Sequence, residues 1–272
     1  MLISNLEYVP LRLLRRFVVN GRLLQRLGAI LPYHEPSQNE ASSDPIVGDY
    51  GRHLALAGAT FRGADVLEIG SGRTNSVGYA LARDGARHVT CFEPHAGFDR
   101  EGDARLLAAI AAASGKPAAA LAAQIVRTTS LAALADASVD RVLSSSVLEH
   151  VRDLRGLLAE VGRVLRPGGA MLHLVDYRDH FFKYPFHFLQ FSEAVWERWL
   201  DPGDLPRWRL SGQLRILGEM GYRVDVLART RDEDGFAKIA PHLAAGFDAG
   251  DPEMAVTHAV LFARRGGAGS AG

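Results

Sequence analysis

The chain has 272 residues, of which 47% are hydrophobic and 23% are charged. That length suffices for one large α/β domain with additions, and the composition is typical of a globular protein. The 31 basic and 31 acidic residues balance, which argues against a broad nucleic-acid-binding surface, so no nucleic-acid partner is expected. A single cysteine, Cys91, excludes an intrachain disulfide and a thiolate zinc cluster, and it favours a reducing, cytoplasmic location.

Residues 1–45 predict an amphipathic helix followed by a polar linker. Apolar residues recur at helical spacing over residues 11–27, and five arginines interrupt them. The charges break any run long enough to cross a bilayer, and they also break a signal-peptide core. Two interpretations stay open. The helix packs on the domain or covers its site, or it lies as a basic helix on an anionic membrane surface.

Residues 46–265 alternate short apolar strands with helical patterns, which predicts βαβ units and a mostly parallel sheet. The predicted strands are 65–69, 88–92, 124–127, 141–145, 170–175, 223–228 and 255–263. The predicted helices include 77–83, 101–113, 118–123, 147–165 and 214–220, and the tail 266–272 is predicted to be disordered. Because parallel sheets bind ligands beyond the carboxyl ends of their strands, the loops after strands one, two, four and five are expected to form the site.

The first predicted strand runs directly into a glycine turn, Gly70-Ser71-Gly72. Glycine lets the backbone turn tightly and approach a ligand without a Cβ in the way. Glu93 ends the second strand, where a carboxylate can accept hydrogen bonds from both hydroxyls of a ribose. Together these features predict a nucleoside cofactor. An NAD site is the alternative, although Asn75 replaces the third glycine of the dinucleotide fingerprint.

Several segments together resemble the class I S-adenosylmethionine-dependent methyltransferases. Residues 66–72 (VLEIGSG) are similar to motif I of that family, and Glu93 is similar to its ribose-binding acid. Residues 138–151 are similar to its fourth strand and following loop, and residues 165–169 to the turn before its fifth strand. The resemblance implies a Rossmann-like, doubly wound α/β fold. Its seven-stranded sheet would be mostly parallel with an antiparallel last strand.

The same resemblance implies the contacts of an S-adenosylmethionine cofactor. The expected cofactor-binding residues are Glu68, Gly70, Ser71, Gly72, Glu93, Pro94, Thr128 and Ser146. Gly70 and Gly72 would approach the methionine portion, with Glu68 supporting their loop. Thr128 stands near the place where many members carry an acid that binds the adenine amino group. Thr74 stands where the family often has a third glycine.

The acceptor side of the site is expected after strands four and five. Methyl transfer is an in-line displacement, so the protein mainly aligns the acceptor and excludes water, and a hydroxyl acceptor also needs a base. His150 and His180 are the candidate bases, and Asp176 is a further candidate catalytic residue. Asp179 next to His180 suggests a carboxylate–histidine pair of the triad kind. The alternative for His150 is a helix start, because Ser146 and Glu149 form a capping-box pattern. The alternative for His180 is a surface residue next to a helix cap.

No metal site is predicted. Glu149-His150 resembles family members that bind a divalent metal at this place through two glutamates and a histidine. Ser146 occupies the position of the first glutamate, so one ligand is missing.

Ten of the chain's 22 aromatic residues (3 Trp, 7 Tyr and 12 Phe in all) fall in an insertion at about 177–208, after the fifth strand. Such an insertion is typical either of a lid that stacks on the acceptor or of a satellite core. It also loosely resembles a bacterial methyltransferase group associated with glycan genes, through Arg178-Asp179-His180 and Arg209-Leu210-Ser211. The sequence thus predicts O-methylation of a small molecule or glycan. The alternatives are an NAD-dependent oxidoreductase and a non-catalytic cofactor-binding or partner-binding protein.

Overall fold

A seven-stranded sheet forms the centre of the molecule in the computed structural model, which describes residues 3–17, 43–180, 184–201, 203 and 205–265. The strands are β1 (Asp65–Ile69), β2 (His88–Phe92), β3 (Ile125–Thr128), β4 (Val139–Ser145), β5 (Leu165–Asp176), β6 (Tyr222–Arg231) and β7 (Val256–Arg265). Their order is β3-β2-β1-β4-β5-β7-β6. Strands β1 to β5 pair in parallel, and β7 runs antiparallel to both of its neighbours. The predicted Rossmann-like sheet is confirmed.

Helices cover both faces of this sheet. The α-helices of the described residues are α1 (Asn5–Phe17), α2 (Asp44–Leu56), α3 (Ser76–Arg83), α4 (Arg100–Ser114), α5 (Ala118–Ala122), α6 (Leu154–Val164), α7 (Glu193–Val195), α8 (Leu210–Glu219) and α9 (Glu233–Ala237). A π-helical turn, Trp196–Leu200, continues α7. Alternate residues of each buried strand point to opposite faces, so Leu67 packs with α6 and α8 while Val66 packs with α2 and α3.

The loop after β4 is longer than the sequence predicts, because the helix predicted at 147–165 begins only at Leu154. The side chain of Asp153 accepts a hydrogen bond from the backbone N–H of Gly156 (2.8 Å) and so supplies the N-cap. Ser146 adopts a left-handed φ of +54°, and Glu149 bonds to β5 instead of closing a capping box. The capping-box interpretation is therefore wrong, and residues 146–153 form an irregular loop at the carboxyl edge of the sheet.

The N-terminal helix and the aromatic insertion pack against each other. Val9 and Leu13 of α1 join an apolar cluster that contains Phe186, Phe188 and Trp196. The predicted linker lies outside the described residues except at its end, where α2 already begins at Asp44. The predicted tail also lies outside them. No helix among the described residues is long and apolar enough to cross a membrane.

Candidate active site

The backbone leaves β1 through Gly70 and Gly72, whose φ angles are +80° and +68°. Those conformations favour glycine, because a Cβ would clash with the neighbouring carbonyl. A Cβ on Gly70 would also overlap a methyl group of Val147. The turn therefore packs directly against the loop after β4, which closes one side of the site.

Two residues that the sequence analysis missed hold the glycine turn. Arg127 on β3 donates hydrogen bonds to the carbonyl oxygen of Gly72 (2.6 Å) and to the side chains of Ser71 (3.2 Å) and Asn75 (3.1 Å). Asp103 on α4 accepts a hydrogen bond from the backbone N–H of Asn75 (2.6 Å). Both act from elements far away in the chain, and no local motif marks them. Ser71 is buried and bonds to Arg127.

Glu93 ties the ends of β1 and β2 together. Its Oε2 accepts a hydrogen bond from the backbone N–H of Gly72 (3.0 Å), and its Oε1 accepts from those of His95 and Ala96 (both 2.9 Å). A carboxylate has about four lone-pair positions. The three amides leave room for one further donor, so bonding to both ribose hydroxyls would displace an amide.

A cavity of about 580 Å³ opens between the ends of β1 and β2 and the loop after β4. Of the predicted site residues, its wall contains Gly70, Glu93, Pro94, Ser146 and His150. Apolar side chains, among them Phe92 and Leu157, also line this wall. Such a size, with apolar walls and the carboxylates of Glu93 and Asp153, suits a nucleoside-sized ligand.

Glu68, Ser71, Gly72 and Thr128 do not line this wall, so their roles in cofactor binding stay predictions. Glu68 is buried beside Cys91, whose thiol donates to it across 3.5 Å, and burial raises the pKa of Glu68 to about 7. Thr128 donates its hydroxyl hydrogen to the carbonyl of Ser130 (3.0 Å), and its own carbonyl accepts from the backbone N–H of Glu93 (3.0 Å). Thr128 thus supports Glu93 through the backbone, because the β2–β3 pairing places it there.

The three predicted catalytic residues lie together at the carboxyl ends of β4 and β5. The rings of His150 and His180 are 5.0 Å apart between centroids. Nδ1 of His180 lies 4.0 Å from Oδ2 of Asp176. The register of β5 and β7 adds His258, whose Nε2 is 3.5 Å from the same oxygen and which the sequence analysis missed.

Asp176 is an ionised carboxylate. Burial opposes ionisation, but hydrogen bonds from His258 and Arg178 outweigh it and hold the pKa of Asp176 well below its usual range. Arg178 donates through its backbone N–H (3.0 Å) and through its guanidinium (2.7 Å). Glu149 lies next to this group and is buried, and its Oε1 accepts from the backbone N–H of Asp176 (3.3 Å).

Residues 67–173 match the model of a family described as a methyltransferase domain. The matched residues include the glycine turn and Glu93, which lie at the cavity. The chain contains a methyltransferase domain of the class I S-adenosylmethionine-dependent type. No curated protein matches the whole sequence significantly.

Several solved structures are similar to this chain. The cyclase SpnF is 17% identical with a TM-score of 0.50, and the match covers 82% of this chain and 81% of that one. An S-adenosylmethionine-dependent methyltransferase from Mesorhizobium loti is 17% identical over 79% of this chain and 96% of that one, with a TM-score of 0.47. Phosphoethanolamine N-methyltransferase 2 from Haemonchus contortus is 15% identical over 79% and 52%, with a TM-score of 0.48.

Most aromatic rings of the insertion are structural in this methyltransferase. Phe186, Phe188 and Trp196 are buried in the cluster that α1 covers, so the prediction that the insertion stacks on the acceptor is wrong for these rings. The hydroxyl of Tyr177 donates to Gln213 inside the main core. These rings remove more apolar surface from water by packing together than by lining an open site. Residues 181–183 lie outside the described part of the chain.

Proposed function

We propose that this methyltransferase transfers a methyl group from S-adenosylmethionine to a hydroxyl oxygen of a small molecule or glycan. The single observation that carries the proposal is the meeting of His150, His180 and Asp176 beside the cavity that contains Gly70 and Glu93. N-Methylation requires no base when the amine is neutral, whereas a hydroxyl must lose its proton. Two imidazoles next to an ionised carboxylate suit that requirement.

S-Adenosylmethionine supplies a methyl group that a sulfonium has already activated. The residues around the cavity then have three tasks. Gly70 admits the cofactor close to the backbone, and Glu93 accepts a hydrogen bond from its ribose. Phe92 and Leu157 exclude water, which favours an aligned displacement over hydrolysis.

The histidine pair receives the acceptor hydroxyl. A neutral imidazole of His150 or His180 can accept the hydroxyl proton as the acceptor oxygen takes the methyl group. Asp176 lies within ion-pair distance of His180 and stabilises the imidazolium that would form there. We propose a hydroxyl group on the acceptor and do not infer a sugar ring. Asp179 and Arg209, which belong to the glycan-associated pattern, are buried in structural contacts.

Calorimetry and an acceptor screen test this function. We expect the purified protein to bind S-adenosylhomocysteine in preference to NAD. His150→Ala should lower turnover of a hydroxyl acceptor by about 10² while leaving S-adenosylhomocysteine affinity nearly unchanged. The exposed His242→Ala serves as the matched control. Binding of NAD without binding of S-adenosylhomocysteine would overturn the assignment.

We also propose that α1 contacts an anionic membrane surface. The helix exposes an apolar stripe at helical spacing, formed by Leu6, Pro10, Leu14 and Phe17, and the exposed Ile3 lies just before it. Arg15 and Arg16 lie beside this stripe and are partly exposed. Apolar and basic groups side by side are typical of helices that lie in the lipid interface. The cytoplasmic location stays a prediction. Contact of α1 with a membrane would make the protein peripheral to that membrane.

A further inference from the structure

A second cavity, of about 490 Å³, lies between the end of the insertion and the loop before β7. Its wall contains residues 192–193, 206–209, 211–212, 244–248, 251 and 254, none of which lines the cavity at Gly70 and Glu93. We propose that this second cavity binds a phosphate group, either free or carried by a larger molecule. The inference goes beyond methyl transfer and does not depend on the proposed acceptor.

Arg209 brings a positive charge to this wall. Its guanidinium is buried and donates to the backbone carbonyls of Tyr177 (2.6 Å), Met254 (2.6 Å) and Val256. These are all the hydrogen bonds that it makes to described residues, and none of them goes to a carboxylate. Burial lowers the pKa of Arg209 to about 10, so the side chain stays charged at neutral pH. A buried charge without a counter-ion is costly, and a phosphate group would supply one.

Arg207 lies on the same wall and is also buried. It donates to the backbone carbonyls of Phe188 (3.0 Å) and Phe191 (2.7 Å) and pairs with Glu193. A guanidinium has five N–H donors, and Arg207 and Arg209 each use three of them in contacts with described residues. Nε has no hydrogen-bond partner in either side chain. Unused guanidinium donors beside a cavity suit the oxygens of a phosphate group.

The N-terminus of α8 opens at the same cavity. Ser211 and Gly212 of its first turn line the wall, and no side chain caps the helix. The first N–H groups of a helix have no intrahelical partners, and the helix dipole makes this end positive, so helix N-termini bind phosphate groups. The helix amides and the two buried guanidinium groups thus place N–H donors around one cavity.

Three carboxylates also lie on this wall, those of Glu193, Asp248 and Asp251. Each of them already accepts a hydrogen bond within the protein. Glu193 and Asp248 are exposed, so water and salt screen their charges, whereas Arg207 and Arg209 are buried. The buried part of the wall is therefore positive, and the carboxylates lower the affinity for an anion without excluding it.

Two hydrogen bonds connect the second cavity to the methyl-transfer site. Trp208 lines the second cavity, and its Nε1 donates to the carbonyl of Val151 (2.7 Å), which lines the first. Arg209 donates to the carbonyl of Tyr177 (2.6 Å), the residue after Asp176. A phosphate group in the second cavity would thus contact residues that bond directly to the loops after β4 and β5.

Calorimetric titration of the full-length protein with sodium phosphate, at constant ionic strength and with sodium chloride as the blank, tests the site. We expect one phosphate per chain, bound equally well when S-adenosylhomocysteine is saturating. Gly212→Asp should weaken phosphate binding by about tenfold or more, because its carboxylate competes for the same donors. The fold should persist, since a Cβ at Gly212 comes no closer than 3.6 Å to Trp208 and an acidic residue suits the first turn of a helix. Gly48→Asp on α2, where a Cβ meets no atom within 4 Å, is the matched control.

A second variant should strengthen binding. Asp248→Asn removes a repulsive charge from the wall and should raise phosphate affinity about threefold, whereas Asp136→Asn, at an exposed carboxylate outside the wall, should not. Both Gly212→Asp and Asp248→Asn keep Arg209, whose removal would also break three hydrogen bonds to the backbone.

Three results would overturn the site: no phosphate binding beyond the chloride blank, equal affinity of the wild type and Gly212→Asp, or displacement of phosphate by S-adenosylhomocysteine. Where phosphate binds as expected, its effect on methyl transfer identifies the source of the group. Competition with the acceptor assigns the phosphate group to the acceptor, and any other result assigns it to a separate small molecule.

Discussion

At the residue scale, Glu93 has both a structural and a ligand-binding role. It holds the amides of Gly72, His95 and Ala96, and it faces the cavity. We expect Glu93→Ala to weaken S-adenosylhomocysteine binding by roughly 1.5–3 kcal/mol, the typical contribution of hydrogen bonds to a charged group. Calorimetry measures the effect. Glu93→Gln keeps one oxygen acceptor and should lose less, and an unchanged dissociation constant for Glu93→Ala would remove this residue from the site.

Glu68 makes the stability of the fold depend on pH. Burial raises its pKa to about 7, while the hydrogen bond from Cys91 and the charge of Arg127 lower it and the charge of Glu93 raises it. The folded state therefore holds a proton that the unfolded state releases above about pH 4.5. The free energy of unfolding should fall by roughly 2–3 kcal/mol as the pH rises from about 4.5 to about 7.

Glu68→Gln is the matched variant, because it keeps the shape and cannot ionise. Denaturant unfolding at pH 5 and at pH 8 should show that the variant gains stability relative to the wild type at the higher pH. The Cys91 thiol, which donates a hydrogen bond to Glu68, should stay neutral in this range, since burial raises its pKa well above the usual value. Parallel pH profiles of the two proteins would contradict the prediction.

At the element scale, α1 is bound through buried hydrogen bonds and an ion pair to the loop that carries His180. Arg12 and Tyr8 both donate hydrogen bonds to Asp179, and all three side chains are buried. Removing one partner of a buried ion pair leaves an uncompensated charge, so Arg12→Met should destabilise the protein by about 3–5 kcal/mol. It should also raise KM for the acceptor while leaving S-adenosylhomocysteine affinity unchanged.

A double-mutant cycle separates pairing from packing in this contact. Asp179→Asn removes the charge that Arg12 neutralises, so the double variant with Arg12→Met should recover part of the lost stability. Urea unfolding of the four proteins gives the coupling free energy. Strictly additive losses would show that Arg12 and Asp179 do not stabilise the fold as a pair.

The elements differ in how far local sequence decides them. Strand β1, its glycine turn and Glu93 follow from patterns within a few residues, so they could be predicted. The start of α6 could not be predicted, because the sequence has two candidate N-caps. One is Ser146, paired with Glu149, and the other is Asp153. The choice between them depends on β5, because the backbone N–H of Asp176 donates a hydrogen bond to Glu149.

The same limit applies to the site and to the insertion. Arg127 and His258 reach the site only through strand order and register. The rings of the insertion pack on α1 and on Phe236, elements far from them in the chain. Local sequence shows how many aromatic residues there are, but not what covers them.

At the scale of the whole molecule, the fold alone does not specify the reaction, since a cyclase shares it at a TM-score of 0.50. In this chain α1 also packs on the insertion, beside the proposed acceptor site. The inner face of α1 contacts Asp179, next to His180, and its outer face exposes the apolar stripe. A membrane bound by that stripe would lie near the histidine pair, which suits an acceptor presented at a lipid surface.

Sedimentation with lipid vesicles tests this arrangement. Leu6, Leu14 and Phe17 are 69%, 45% and 59% exposed, so their burial in lipid would gain apolar contact at no cost to the core. We expect binding to phosphatidylserine-containing vesicles that falls as salt is added, because Arg15 and Arg16 contribute charge. Leu14→Asp with Phe17→Asp should abolish binding and leave S-adenosylhomocysteine affinity intact, whereas Leu56→Asp, an exposed apolar residue on α2, should change neither. Equal binding of the double variant and the wild type would show that α1 only packs on the insertion.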